Sequence, residues 1–108
     1  MATTRALITL PARVARGEVF DVRLLVRHAM ETGHRADSLG RLVPRDTVRR
    51  VEATLAGQPV FAADLHAAIA ANPYLSFTLR ATQGGPLVVR WRGDNGFEHT
   101  ETVNLEVV

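Results

Sequence analysis

Hydrophobic and polar residues alternate with a period of two along most of the chain. Phe20, Val22, Leu24 and Val26 share one parity, and Asp21, Arg23 and Arg27 share the other. This is the pattern of a strand with one buried face, and it predicts a long strand over Glu18–Arg27. The same alternation predicts a short first strand over Arg5–Leu10, closed by Pro11, and a third over Thr47–Leu55 with Val51, Ala53 and Leu55 inward. A short fourth strand covers Val60–Ala63. A fifth covers Tyr74–Ala81 with Leu75, Phe77 and Leu79 inward. A sixth turns Leu87, Val89 and Trp91 inward, and the last runs over Phe97–Val107. Turn residues separate them at Ala56-Gly57-Gln58-Pro59, Gln83-Gly84-Gly85-Pro86 and Gly93-Asp94-Asn95-Gly96. Asp64 is placed to cap one helical turn through Leu65–Ala71, which Asn72 ends because the residue before a proline is pushed away from the α region. Seven short strands with turn signals between them indicate an all-β, immunoglobulin-like antiparallel β-sandwich with one short helical turn, a single domain over residues 1–108. Trp91, in parity with Leu87 and Val89, is the expected core anchor.

Two places depart from the alternation. In the last strand His99 and Glu101 fall on the parity of Phe97, Val103, Leu105 and Val107, so the strand is either bulged there or runs beyond the core. After Val26 the apolar pattern stops. His28-Ala29-Met30-Glu31-Thr32-Gly33 forms a polar turn, and a polar loop follows from Gly33 to about Asp46. Loops of that length tend to be functional. Met30 is expected to be exposed there, as an adaptable apolar contact.

Composition narrows the chemistry. All thirteen basic residues are Arg, and the chain has no Lys and no Cys, so a net charge of only +2 is enough to carry the pI to about 10.4. The small net charge gives no reason to expect phosphate binding. Without Cys or Lys there is no thiol nucleophile, disulfide, thiolate metal site or Schiff base. His28, Glu31 and His34 are evenly spaced, but on a strand end and loop rather than on a helix, so no metal site is expected. Ser38 and Ser76, the only serines, lack the strand-turn-helix setting of a nucleophile. Glu31 and Asp37 have no scaffold fixing a carboxylate separation. Gly84-Gly85 precedes no helix that could cradle a phosphate. No cofactor is expected and no enzyme is indicated. No signal-peptide pattern is visible and no run reaches the length of a membrane span, which taken alone suggests the cytoplasm. From the residues alone the expectation is a non-enzymatic β-sandwich that binds something.

Three motifs carry a resemblance. His28-Ala29-Met30-Glu31-Thr32-Gly33 resembles the His-Pro-Met-Glu-Thr-Gly of the SoxZ family, subunits of the bacterial thiosulfate-oxidation carrier. Asn72-Pro73-Tyr74-Leu75-Ser76-Phe77 resembles the family's Asn-Pro-Tyr-Leu entry into a strand, and Trp91 followed by Asp94 and Gly96 is the third. The order and spacing agree over nearly the whole chain. Ala29 departs from the usual Pro, which would restrict both itself and His28. The resemblance implies a heterodimer with a SoxY-like partner, whose C-terminal Gly-Gly-Cys-Gly arm carries sulfur intermediates between the pathway enzymes. The present chain would supply scaffold and docking surface, with no nucleic acid or membrane as partner. It also implies the periplasm, reached with a partner that bears a twin-arginine signal. His28, Ala29, Met30, Glu31, Thr32, Gly33, Asn72, Pro73 and Tyr74 are the expected docking residues. Two other classes compete. A free-standing ligand-binding or adhesion module would be a stable monomer. An RNA-binding domain would need an exposed aromatic face, for which only Tyr74 is available.

Overall fold

The computed structural model describes residues 5–66 and 70–108. Eight strands form two sheets: β1 (Ala6–Thr9), β2 (Arg13–Val14), β3 (Val19–Val26), β4 (Val48–Leu55), β5 (Gln58–Asp64), β6 (Tyr74–Arg80), β7 (Gly85–Gly93) and β8 (Glu98–Val107). One sheet has the order β1-β3-β6 and the other β2-β8-β7-β4-β5. Every pairing is antiparallel except the short contact of β2 with the end of β8. The inner faces meet in a core that contains Phe20, Val22, Leu24 and Val26 from β3, Val51, Ala53 and Leu55 from β4, and Leu87, Val89 and Trp91 from β7. Trp91 is 1% exposed, so the parity that places it inside is correct. The stacked rings of Phe61 and Phe77, 4.3 Å apart, close one long edge between the sheets.

The all-β sandwich is as expected, two details differ, and one open question is answered. The Arg13–Gly17 link contains β2, whose two residues are too few to show an alternation. The β4–β5 hairpin turns on two residues, Ala56 and Gly57, both at positive φ. This is the turn hand that matches strand twist, and it lets β5 start earlier and run longer than the alternation suggests. Pro59 sits in β5, an edge strand, where a missing N–H is tolerated. The middle of the helical turn expected over Leu65–Ala71, residues 67–69, lies outside the described residues.

The open question is the conflict in β8. Its register with β7 is unbroken from Gly85↔Leu105 to Arg92↔Glu98, so no bulge exists. His99 and Glu101 do point inward, but at a rim of the sandwich, where their side chains stay 25% and 36% exposed. The two groups satisfy each other, with His99 Nε2 2.9 Å from Glu101 Oε1.

Candidate functional site at the His28 end of the sandwich

When β3 ends at Val26, the chain must cross from one sheet to the other, and the backbone groups beyond the strand need partners. Asn72 supplies them for His28. The His28 N–H donates to Asn72 Oδ1 at 2.9 Å, and the Asn72 N–H donates to the His28 carbonyl at 2.7 Å. Asn72 adopts a left-handed conformation, φ 54°, which Asn tolerates better than most residues. Pro73 follows it, buried, and its carbonyl accepts the Val26 N–H at 3.3 Å. The first two motifs are thus one structural unit, although 44 residues separate their hydrogen-bonded members.

His28 itself is buried, 7% exposed. Its ring meets Phe97 edge-on at 4.8 Å, and Nδ1 accepts the Met30 N–H at 2.9 Å. An accepting Nδ1 places the ring proton on Nε2, which lies 3.5 Å from Asp46 Oδ1.

Met30 is not exposed, contrary to the expectation from sequence. It is 5% exposed and part of the core. Burial goes on alternating past β3, through Val26 and His28 to Met30, so Met30 keeps the inward parity. Its backbone takes φ 54°, and its Sδ accepts the Val48 N–H at 3.2 Å. A non-glycine residue at positive φ is uncommon and leaves no mark in a hydropathy pattern. The next residues are stitched in the same way: Glu31 and Asp46 exchange backbone hydrogen bonds at 2.8 and 2.7 Å.

The third motif closes the other side. Asp94 Oδ2 accepts the Thr47 N–H at 3.0 Å and the Thr47 hydroxyl at 2.7 Å. Arg45 and Arg49 reach the same carboxylate at 3.2 and 3.4 Å. The Thr47 hydroxyl above all, then its N–H and the Arg45 charge, hold the Asp94 carboxyl below its ordinary range against the opposing effect of burial. Gly93, in ordinary extended backbone, is required here by space: a Cβ would drive into the Thr47 carbonyl oxygen.

Among the expected docking residues, His28, Met30 and Pro73 are therefore buried and Glu31, Thr32 and Gly33 half-buried, while Ala29, Asn72 and Tyr74 are exposed. Sequence reasoning missed Asp46, Thr47 and Phe97, which join the three motifs to one another; only Phe97 adjoins a motif in the sequence, and Asp46 and Thr47 carried no such signal. Beyond Gly33 the loop forms a small hairpin of its own. Ala36 bridges Leu42, the Val43 N–H donates to the Arg35 carbonyl at 2.7 Å, and Asp37 Oδ1 accepts the N–H groups of Leu39 and Arg41. Its tip exposes Leu39 and Leu42. Among the described residues no three His, Asp or Glu side chains converge as a metal site would require.

Comparison with known proteins agrees with this arrangement. A search of curated proteins gives no match. Among solved structures the chain is similar to a superoxide reductase (neelaredoxin) from Ignicoccus hospitalis, with 17% identity, a TM-score of 0.73, and 97% of this chain and 81% of that one covered. It is also similar to the sulfur carrier protein SoxY from Chlorobium limicola f. thiosulfatophilum, with 14% identity, a TM-score of 0.66, and 98% and 81% covered. At such identities the likeness is one of fold. The family model of the sulphur oxidation protein SoxZ matches residues 8–104, a stretch that includes all three motifs gathered at the His28 end; the chain belongs to the SoxZ family.

Proposed function

We propose that this chain is the non-catalytic subunit of a sulfur carrier heterodimer. It holds a SoxY-like partner, whose C-terminal cysteine arm carries sulfur intermediates during thiosulfate oxidation, and it offers surface for transient contact with the pathway enzymes. The observation that carries this reading is membership of the SoxZ family over residues 8–104. A chain with no cysteine and no lysine fits it, since covalent sulfur transfer needs a thiolate and a partner can provide one. The His28 end supports a structural part for the three motifs, because their polar groups are spent on one another. In the same reading the heterodimer works in the periplasm, where this subunit arrives together with its signal-bearing partner.

Co-expression with the SoxY-like subunit of the same organism, followed by size exclusion, tests the proposal. One co-eluting species of summed mass is expected, with an interface of about 800 Å² on each side. Two separately eluting proteins would favour a free-standing module instead. Fractionation of cells with and without the partner's signal sequence tests the location, and export of this chain without its partner would refute that part.

A further inference from the structure

The two outer faces of the sandwich carry charge in different ways. On the five-stranded sheet the arginines have carboxylate partners on the same strand, on a neighbouring strand or in the adjoining turn. Arg50 binds Glu52 and Asp64, Arg92 binds Glu52, and Arg90 lies 3.6 Å from Glu98. Of the thirteen arginines, the five with no carboxylate partner among the described residues are Arg5, Arg16, Arg23, Arg27 and Arg80. Arg23 and Arg80 lie on the outer face of the three-stranded sheet, and Arg27 continues that parity just past β3. The one carboxylate on the strands of this face is Asp21. Across one end of this face, between Arg23 and Arg27, runs an apolar row set by the register: Leu7 opposite Leu25, and Leu25 opposite Tyr74. Leu7 and Tyr74 are 54% and 57% exposed.

We infer that the outer face of the β1-β3-β6 sheet is the surface on which the SoxY-like partner sits, through a complementary patch of the partner that is apolar at its centre and rimmed with carboxylates. The inference rests on the heterodimer proposed above and adds the face to it. An apolar centre with Tyr and Arg around it is the composition of interface cores. Its unmatched positive rim selects the occupant's charge. The same rim argues against a second copy of this chain, since a two-fold contact would set Arg23, Arg27 and Arg80 against like charges. A flat row with a single aromatic ring also offers few stacking platforms for nucleic acid.

The test uses the full chain and its co-expressed SoxY-like subunit. Leu7→Ser and Tyr74→Ser are expected to weaken the heterodimer at least about tenfold each, within the range of interface hot spots. Arg23→Glu with Arg27→Glu is expected to slow association and to reduce its dependence on salt. All these side chains are exposed, so melting of each variant alone checks that folding is intact. Leu39→Ser with Leu42→Ser, equally exposed but on the hairpin arm, serves as the control and is expected to leave affinity unchanged. If the unsubstituted proteins pair and the face variants pair equally well, the face is wrong and the heterodimer stands. If the unsubstituted proteins do not pair, the heterodimer itself is wrong and the inference falls with it. A homodimer of this chain alone that the face substitutions dissolve would make a second copy the occupant and overturn the choice of partner.

Discussion

The connection between β3 and β4 has two halves that resemble each other in polarity and differ in everything else. Residues 28–33 are bonded outward, to Asn72, Asp46 and Val48, and bury a methionine. Residues 35–43 are bonded inward, to themselves, and expose two leucines. One ion pair, Glu31 with Arg35, joins the halves; the Arg35 fork holds the Glu31 carboxyl below its ordinary range. The contrast teaches that family resemblance in a loop can mark what holds the loop down. The half that carries the His28–Gly33 motif is the half that plugs the sandwich.

Substitutions should separate the halves by size of effect. Met30→Ser removes a buried side chain and leaves a polar one beneath the sheets. A loss of about 2 to 5 kcal/mol is expected, and since each kcal/mol shifts a domain of this size by roughly 4 to 8 °C, calorimetry should show a large drop in Tm. An unchanged Tm would mean that the segment is not a plug and would restore an exposed Met30.

Asp94→Ala should come next, because it strands the N–H and hydroxyl of Thr47, which is only 3% exposed. A buried donor left without a partner costs about 1 to 3 kcal/mol, again read as Tm. The pH dependence follows from the same carboxylate. Its value in the folded chain is depressed, so the unfolded chain takes up the proton at the higher pH. The stabilisation is then complete above the ordinary Asp range and is lost as pH falls through that range toward the folded value. The Tm gap between the natural chain and Asp94→Asn should therefore narrow on acidification; a gap constant between neutrality and pH 3 would contradict the assignment.

Leu39→Ser with Leu42→Ser should give the smallest change, within about 0.5 kcal/mol, as for surface positions generally. A larger loss would show that the arm packs against the body of the protein.

Much of this was readable from the chain. The period-2 alternation located seven of the eight strands and put Trp91 in the core, because burial on one face is a local property of a strand. β2 was hidden, since two residues carry no period. Met30 was assigned to the wrong side because the polar residues around it hid a parity that runs on from Val26 through His28 to Met30. The partnership of His28 with Asn72, and of Thr47 with Asp94, depends on which distant segments the sheets bring to one end, and spacing along the chain does not encode that.

The inward His99 and Glu101 have a consequence for how the protein behaves in a crowded solution. β2 pairs only with the last residues of β8, so among the described residues the stretch from Glu98 to Leu105 has no neighbour on its free side. A free strand of that length with an unbroken apolar stripe would be a template for pairing with other chains. Two charged or polarisable groups in the stripe, hydrogen-bonded to each other when the strand is native, would have to be dehydrated or parted in a stacked aggregate. The protein forgoes a little core at that rim, and in exchange its longest open border resists growing into a fibre.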